Sequence, residues 1–102
     1  MSQTADEWLL QEATDHLAMD AVGVYELLWL VRGSNFDLDD DLAKALARRT
    51  VRRLLSQGNA KLLYLRWPTN EVVDADPEGV DLDSDSVFEP GPGGVYLALV
   101  ED

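Results

Sequence analysis

Apolar positions at the start of the chain recur at helical spacing. From Ala5 to Ala18, the residues Ala5, Trp8, Leu9, Ala13, His16 and Leu17 share one face, which predicts an amphipathic helix. Thr4 is placed to cap it, and Glu7 three residues later completes a capping box. Residues Ala21 to Val31, AVGVYELLWLV, are apolar almost all the way round, which predicts a helix at the centre of the core with neighbours on every side. Asp20 can cap its start and Gly33 can close it in the left-handed conformation. Its lone acid, Glu26, belongs at a rim or needs a partner.

The segment Leu42 to Gln57, LAKALARRTVRRLLSQ, is the most regular helix of the chain, preceded by a loop, Ser34 to Asp41, whose acids suit a helix start. At 100° per residue, Leu42, Ala43, Leu46, Ala47, Thr50, Val51 and Leu54 fill one half of the wheel. Lys44, Arg48, Arg49 and Arg52 fill the other, with Arg53 at the boundary. Gly58 ends the helix. Lys61 to Trp67 then reads as a strand stopped by Pro68, and Val95 to Val100 as its antiparallel partner. Within the connection, residues 68–94, Glu71 to Val73 and Val80 to Phe88 can each add a short strand or a helical turn. With no internal repeat, residues 1–102 form one domain of the α+β class.

This order, helix, buried helix, basic helix, strand, long connection, strand, resembles a winged-helix domain. The stretch that carries the resemblance best is LARRTVRRLLSQGNAKLLYLRW, a basic helix turning through Gly58 into a hairpin. The resemblance implies three helices followed by a β-hairpin, with the third helix as a recognition helix and residues 68–94 as the wing. The acidic loop from Gly33 to Asp41 and the long acidic wing depart from the usual pattern. Those departures bear on DNA binding more than on the fold.

Composition narrows the function. The chain has 102 residues, 46% of them hydrophobic, enough to order one core. No apolar run reaches the roughly 18–20 residues of a membrane span and no signal-like segment opens the chain, so the expectation is a cytoplasmic protein without a membrane. With no Cys, thiol catalysis, disulfides and Cys-based zinc sites are excluded. The formal net charge of −12 is laid out in blocks. Residues 1–36 carry −5, residues 37–41 carry −4, residues 42–67 carry +7, and residues 68–102 carry −10. Four causes compete for this acidity: solubility, high-salt adaptation (thirteen Asp to seven Glu, six Arg to two Lys), a DNA-like surface that blocks a basic protein, or a homodimer whose wing meets its partner's basic helix. Acid concentrated in the wing leans towards the last two.

The candidate sites follow from this layout. Lys44, Arg48, Arg49 and Arg52 form a stripe that can contact phosphates and base edges in a major groove. The same stripe can be a solvated face that complements the helix dipole, or be paired with the wing of this chain or of a neighbouring copy; ten acids in residues 68–102 against at most five bases on the helix favour internal or protein-directed pairing over nucleic acid. Asp74, Asp76, Glu78 and Asp85 approach EF-hand spacing, with Gly79 for the turn. Pro77 inside the loop and the short Asp85 in place of a bidentate Glu make this a weak metal candidate, and a solvated acidic loop is the better reading. His16, the one histidine, lies on the apolar face of the first helix as a structural residue. Gly91-Pro92-Gly93-Gly94 is a turn before the last strand, because no Lys follows and no helix opens after it. No nucleophile sits in a recognisable setting, so the expectation is a non-enzymatic module without a cofactor. Trp67 beside Pro68 and Phe88 near Pro90 are candidate apolar anchors for a partner, against the commoner alternative that both cover the core's open edge.

The leading expectation is an acidic module for protein–protein interaction, of immunity, inhibitor or regulatory type, with a basic protein as partner. The alternative is a dimeric DNA-binding transcriptional regulator that uses the basic third helix.

Overall fold

The computed structural model describes residues 4–34, 36–75 and 77–101. Three helices come early in the chain: α1 (Ala5–Leu17), α2 (Val24–Arg32) and α3 (Asp40–Ser56). Four strands, β1 (Val22–Gly23), β2 (Ala60–Arg66), β3 (Glu71–Asp74) and β4 (Val95–Glu101), form one antiparallel sheet in the order β1-β4-β2-β3. Two single 3₁₀ turns, Asp85–Phe88 and Pro92–Gly94, interrupt the connection to β4. The fold is therefore α+β. The strands interleave with the helices, so the simple order of three helices followed by a hairpin does not hold.

Local chemistry sets most boundaries. The Thr4 hydroxyl accepts the Glu7 N–H at 3.1 Å and Asp39 accepts the Leu42 N–H at 2.8 Å, so both α1 and α3 begin on a side-chain cap. In α3 the buried positions are Ala43, Leu46, Ala47, Thr50, Val51 and Leu54, the predicted half of the wheel without Leu42, which is exposed. Buried Thr50 satisfies its hydroxyl by donating to the Leu46 carbonyl at 3.0 Å. Gly58 turns the chain into β2, which pairs with β4 along its whole length, from Ala60 opposite Glu101 to Arg66 opposite Val95. Leu9, Leu27, Leu46, Leu54 and Leu99 are fully buried where the helices meet the sheet. Burial of each such side chain is worth about 1.5–3 kcal/mol.

Several expectations need correction around α2. The helix starts at Val24 and not at Ala21, because Val22 and Gly23 extend β4's edge, opposite Leu99 and Ala98. A sheet edge with unpaired backbone groups overrides the helical tendency of two residues. Gly23 becomes the N-cap, while the Asp20 carboxylate accepts the N–H of Ala21 instead. Gly33 ends the helix at φ −85°, in the right-handed region. Nor is α2 buried all round: Val24, Leu27, Leu28 and Val31 face inward, whereas Trp29 is 63% exposed. In α1 the buried line is Leu9, Ala13 and Leu17, which leaves His16 at the edge of that stripe and exposed, 3.8 Å from Glu12.

The connection between β3 and β4 is not a wing standing away from the body. After β3, residues 81–88 run back along α3, and Val87 and Phe88 enter the core beside α2. Residues 81–88 thus form a strap across α3.

Candidate functional site

The predicted site residues divide between two surfaces. On the first, the cationic face of α3, the strap supplies a counter-charge to nearly every predicted contact residue. Arg48 Nε donates to the Leu82 carbonyl at 2.6 Å, and its Nη2 donates to the Asp83 carbonyl at 3.1 Å and to Asp85 Oδ1 at 2.7 Å. Its guanidinium lies 5.2 Å from the centre of the Phe88 ring. With only 16% of its side chain exposed, Arg48 is held in a slot between helix and strap. Lys44 reaches Asp85 at 3.1 Å and Asp40 at 3.4 Å, and Arg52 reaches Asp83 at 2.6 Å. Arg49 turns the other way and grips both oxygens of Asp6 on α1, at 3.0 and 3.2 Å. Arg32, at the end of α2, closes on Asp40 at 2.7 Å.

Each exposed pair taken singly contributes little to stability. Their joint consequence is electrostatic. The Arg52 hydrogen bond holds the Asp83 carboxyl below the usual carboxylate range, and hydrogen bonds from Arg48 and then Lys44 do the same for Asp85. Lys44 is pushed up in turn, first by its hydrogen bond to Asp85. Each of the four predicted cations has a carboxylate partner within the chain, although Arg49 and Arg52 keep half or more of their side chains exposed.

On the second surface lies an aromatic groove of about 500 Å³, lined by Tyr25, Trp29, Trp67, Phe88, Pro90, Gly94 and Tyr96. Tyr25 and Trp29 sit one turn apart on α2 with ring centres 5.1 Å apart, nearly edge to face at 78°. The Tyr25 ring meets Tyr96 of β4 in the same manner, at 5.5 Å and 84°. Two glycines make this possible. A side-chain carbon on Gly23 would lie 2.5 and 2.9 Å from atoms of the Tyr25 ring, so the ring lies where any other residue would put its Cβ. Gly94, at φ +79°, brings the chain against Trp67: a Cβ there would be 3.0 Å from the Trp67 carbonyl, and the Gly94 carbonyl accepts the Trp67 N–H at 2.9 Å. Tyr96 donates its hydroxyl hydrogen to Asn70 at 2.7 Å.

Trp67 is 65% exposed, as an anchor requires, and it meets Phe88 in one groove. Phe88 itself is 7% exposed and belongs to the core, so it forms a lining and not a projecting grip. Arg48 covers it from the α3 side. No protein-family model, curated protein or solved structure matches this chain.

The groove does not stand alone. Tyr25 is a shared wall with two adjoining depressions of about 520 and 510 Å³, the first lined by Trp8, His16, Glu26, Trp29 and Leu30 among others, the second by Met19, Asp20, Glu26, Trp67 and Asn70 among others. Among the described residues, no lysine or arginine lines any of the three. Burial, and then the charge of Glu26, push the Tyr25 hydroxyl up; burial, then Tyr25, Glu26 and Asp20, push up Tyr96. The carboxylate of Glu26 contributes to both shifts and that of Asp20 to the second.

Of the weak metal set, Asp85 is engaged by Lys44 and Arg48, Asp74 closes β3, Glu78 is exposed, and Asp76 lies outside the described residues. No group of three or more candidate ligands comes together among the described residues. No helix there is long and apolar enough to cross a membrane. Sequence reasoning reached Trp67 and Phe88 but missed Tyr25, Trp29 and Tyr96. The available signal was the Tyr25, Trp29, Arg32 spacing, which places a polar residue on the same face as two amphipathic aromatics.

Proposed function

We propose that this chain is a non-enzymatic protein-binding module, of inhibitor or regulatory type, that docks its partner on the aromatic groove. The frame is read as a winged-helix variant, in which α3 leads through Gly58 into the β2–β4 pair and residues 68–94 take the place of the wing. One observation carries the functional reading: the strap occupies the cationic face of α3, through Arg48, Lys44 and Arg52, while Trp29 and Trp67 stay exposed. A recognition helix needs its cations for phosphates, and here they already hold carboxylates and carbonyls. Exposed tryptophans beside tyrosines are the residue types that dominate binding hot spots.

A photo-reactive amino acid placed at position 67 or at position 52, in cells that express the protein natively, tests the assignment. Protein adducts from position 67 and no nucleic-acid adduct from position 52 are expected. Nucleic acid attached at position 52 would restore the DNA-regulator reading.

A further inference from the structure

We infer that the groove between Trp29 and Trp67 recognises an arginine side chain presented by a basic protein partner. This inference rests on the docking surface proposed above and specifies what enters it. Three observations carry it. The walls are aromatic: Tyr25 and Tyr96 meet edge to face, and Trp29 and Trp67 expose most of their surface. Ring faces attract cations, tryptophan most strongly, and a planar guanidinium also stacks on them. The chain already shows this pairing at the groove's back wall, where Arg48 lies 5.2 Å from the centre of Phe88. Finally, the two depressions that adjoin the groove through Tyr25 carry the carboxylates Asp20 and Glu26 as a rim, with no lysine or arginine there among the described residues.

Charge also decides between occupants. A second copy seated symmetrically would set this patch against itself and oppose Asp20 and Glu26 to their own counterparts. A nucleic acid can stack bases on tryptophan, but its phosphates would meet the same acids and a chain of net charge −12. A cationic side chain on an otherwise apolar or basic surface suits both the rings and the rim.

The experiment is an NMR titration of the indole N–H signals with a blocked seven-residue peptide carrying a central arginine between two leucines. The control peptide replaces arginine with citrulline, which has nearly the same shape and no charge. The arginine peptide should move the Trp29 and Trp67 signals at least fivefold more tightly than the citrulline peptide. Trp67→Ala should weaken it about five- to thirtyfold, the ratio equivalent to a cation–π contact of about 1–2 kcal/mol. Both tryptophans are exposed, so the variants should fold, and a circular dichroism melt checks that. Equal binding of the citrulline peptide would overturn the cation assignment while leaving a protein-docking groove in place. Failure of both peptides, together with duplex DNA shifting the α3 amides, would overturn the docking surface as well.

Discussion

The cationic face of α3 and the aromatic groove stand on opposite sides of one residue, Phe88, and they have been treated in opposite ways. On the α3 side, Arg48, Lys44 and Arg52 are each engaged by the strap, so charges that look available in the sequence are satisfied in the fold. On the groove side, Trp29 and Trp67 are left exposed above a ring cluster whose geometry is fixed by Gly23 and Gly94. The contrast teaches that a charge block marks an interaction, not the partner. Of the seven bases that run without an intervening acid, Lys44, Arg48 and Arg52 find their complement in the same chain, 31 to 41 residues further on. The unusual surface is the one with little charge of its own.

The contrast can be broken most strongly at Arg48. Arg48→Ala removes three hydrogen bonds and the contact with Phe88, and it should cost about 1–3 kcal/mol in urea unfolding. The strap should then detach and uncover Lys44 and Arg52. A loss as small as that of an exposed lysine would mean the strap is held by Val87 and Phe88 alone. Gly23→Ala attacks the other side. Its new carbon would overlap the Tyr25 ring, so we expect about 1–2 kcal/mol of destabilisation and loss of the Tyr25–Trp29 ring contact, read from indole fluorescence. Unchanged fluorescence would show that the ring cluster tolerates displacement.

Acidity should loosen the strap more gently. Asp83 and Asp85 have lowered pKa values in the folded chain, so their pairing is complete above the ordinary carboxylate value near ~4 and is lost as pH falls through the lower folded values. Lys44, raised, stays charged throughout that range. Protection of the 81–88 amides, taken relative to their intrinsic exchange rates, should fall more than that of the β2–β4 amides at about pH 3 compared with pH 6. An equal fall in both would mean the whole domain opens together. The smallest effect on stability is expected at Trp29→Ala and Trp67→Ala, within about 0.5 kcal/mol each because both side chains are exposed. A loss above about 2 kcal/mol would place them in the structure's support and not in its docking surface.

Sequence periodicity was informative wherever one element decides its own fate. The α3 wheel and the antiparallel β2–β4 pair were legible because Leu, Ala and Arg alternate at helical spacing and Gly58 separates helix from strand. Features that depend on a distant neighbour were not legible. Val22 and Gly23 become a strand only because β4 offers an edge. Trp29 faces outward although its neighbours in sequence are apolar, since burial of α2 is set by α3 and β4 lying on one side of it. The strap was legible in part: pairing of its acids with the α3 stripe was one of the readings open in the sequence, but their placement follows from Val87 and Phe88 entering the core, which no local pattern shows. Trp67 and Phe88 were legible as candidates from the prolines beside them, but their meeting in one groove required the Gly94 approach.

The most direct test of the strapped helix and open groove is fluorescence anisotropy of labelled generic duplex DNA, from low to physiological salt, with the natural chain and with Asp83→Asn/Asp85→Asn. The account predicts no binding by the natural chain at any salt, and salt-sensitive binding by the variant at low salt, once Arg48 and Arg52 lose their carboxylates and Lys44 keeps only Asp40. Tight, log-linearly salt-dependent binding by the natural chain, abolished by Arg52→Ala, would contradict it.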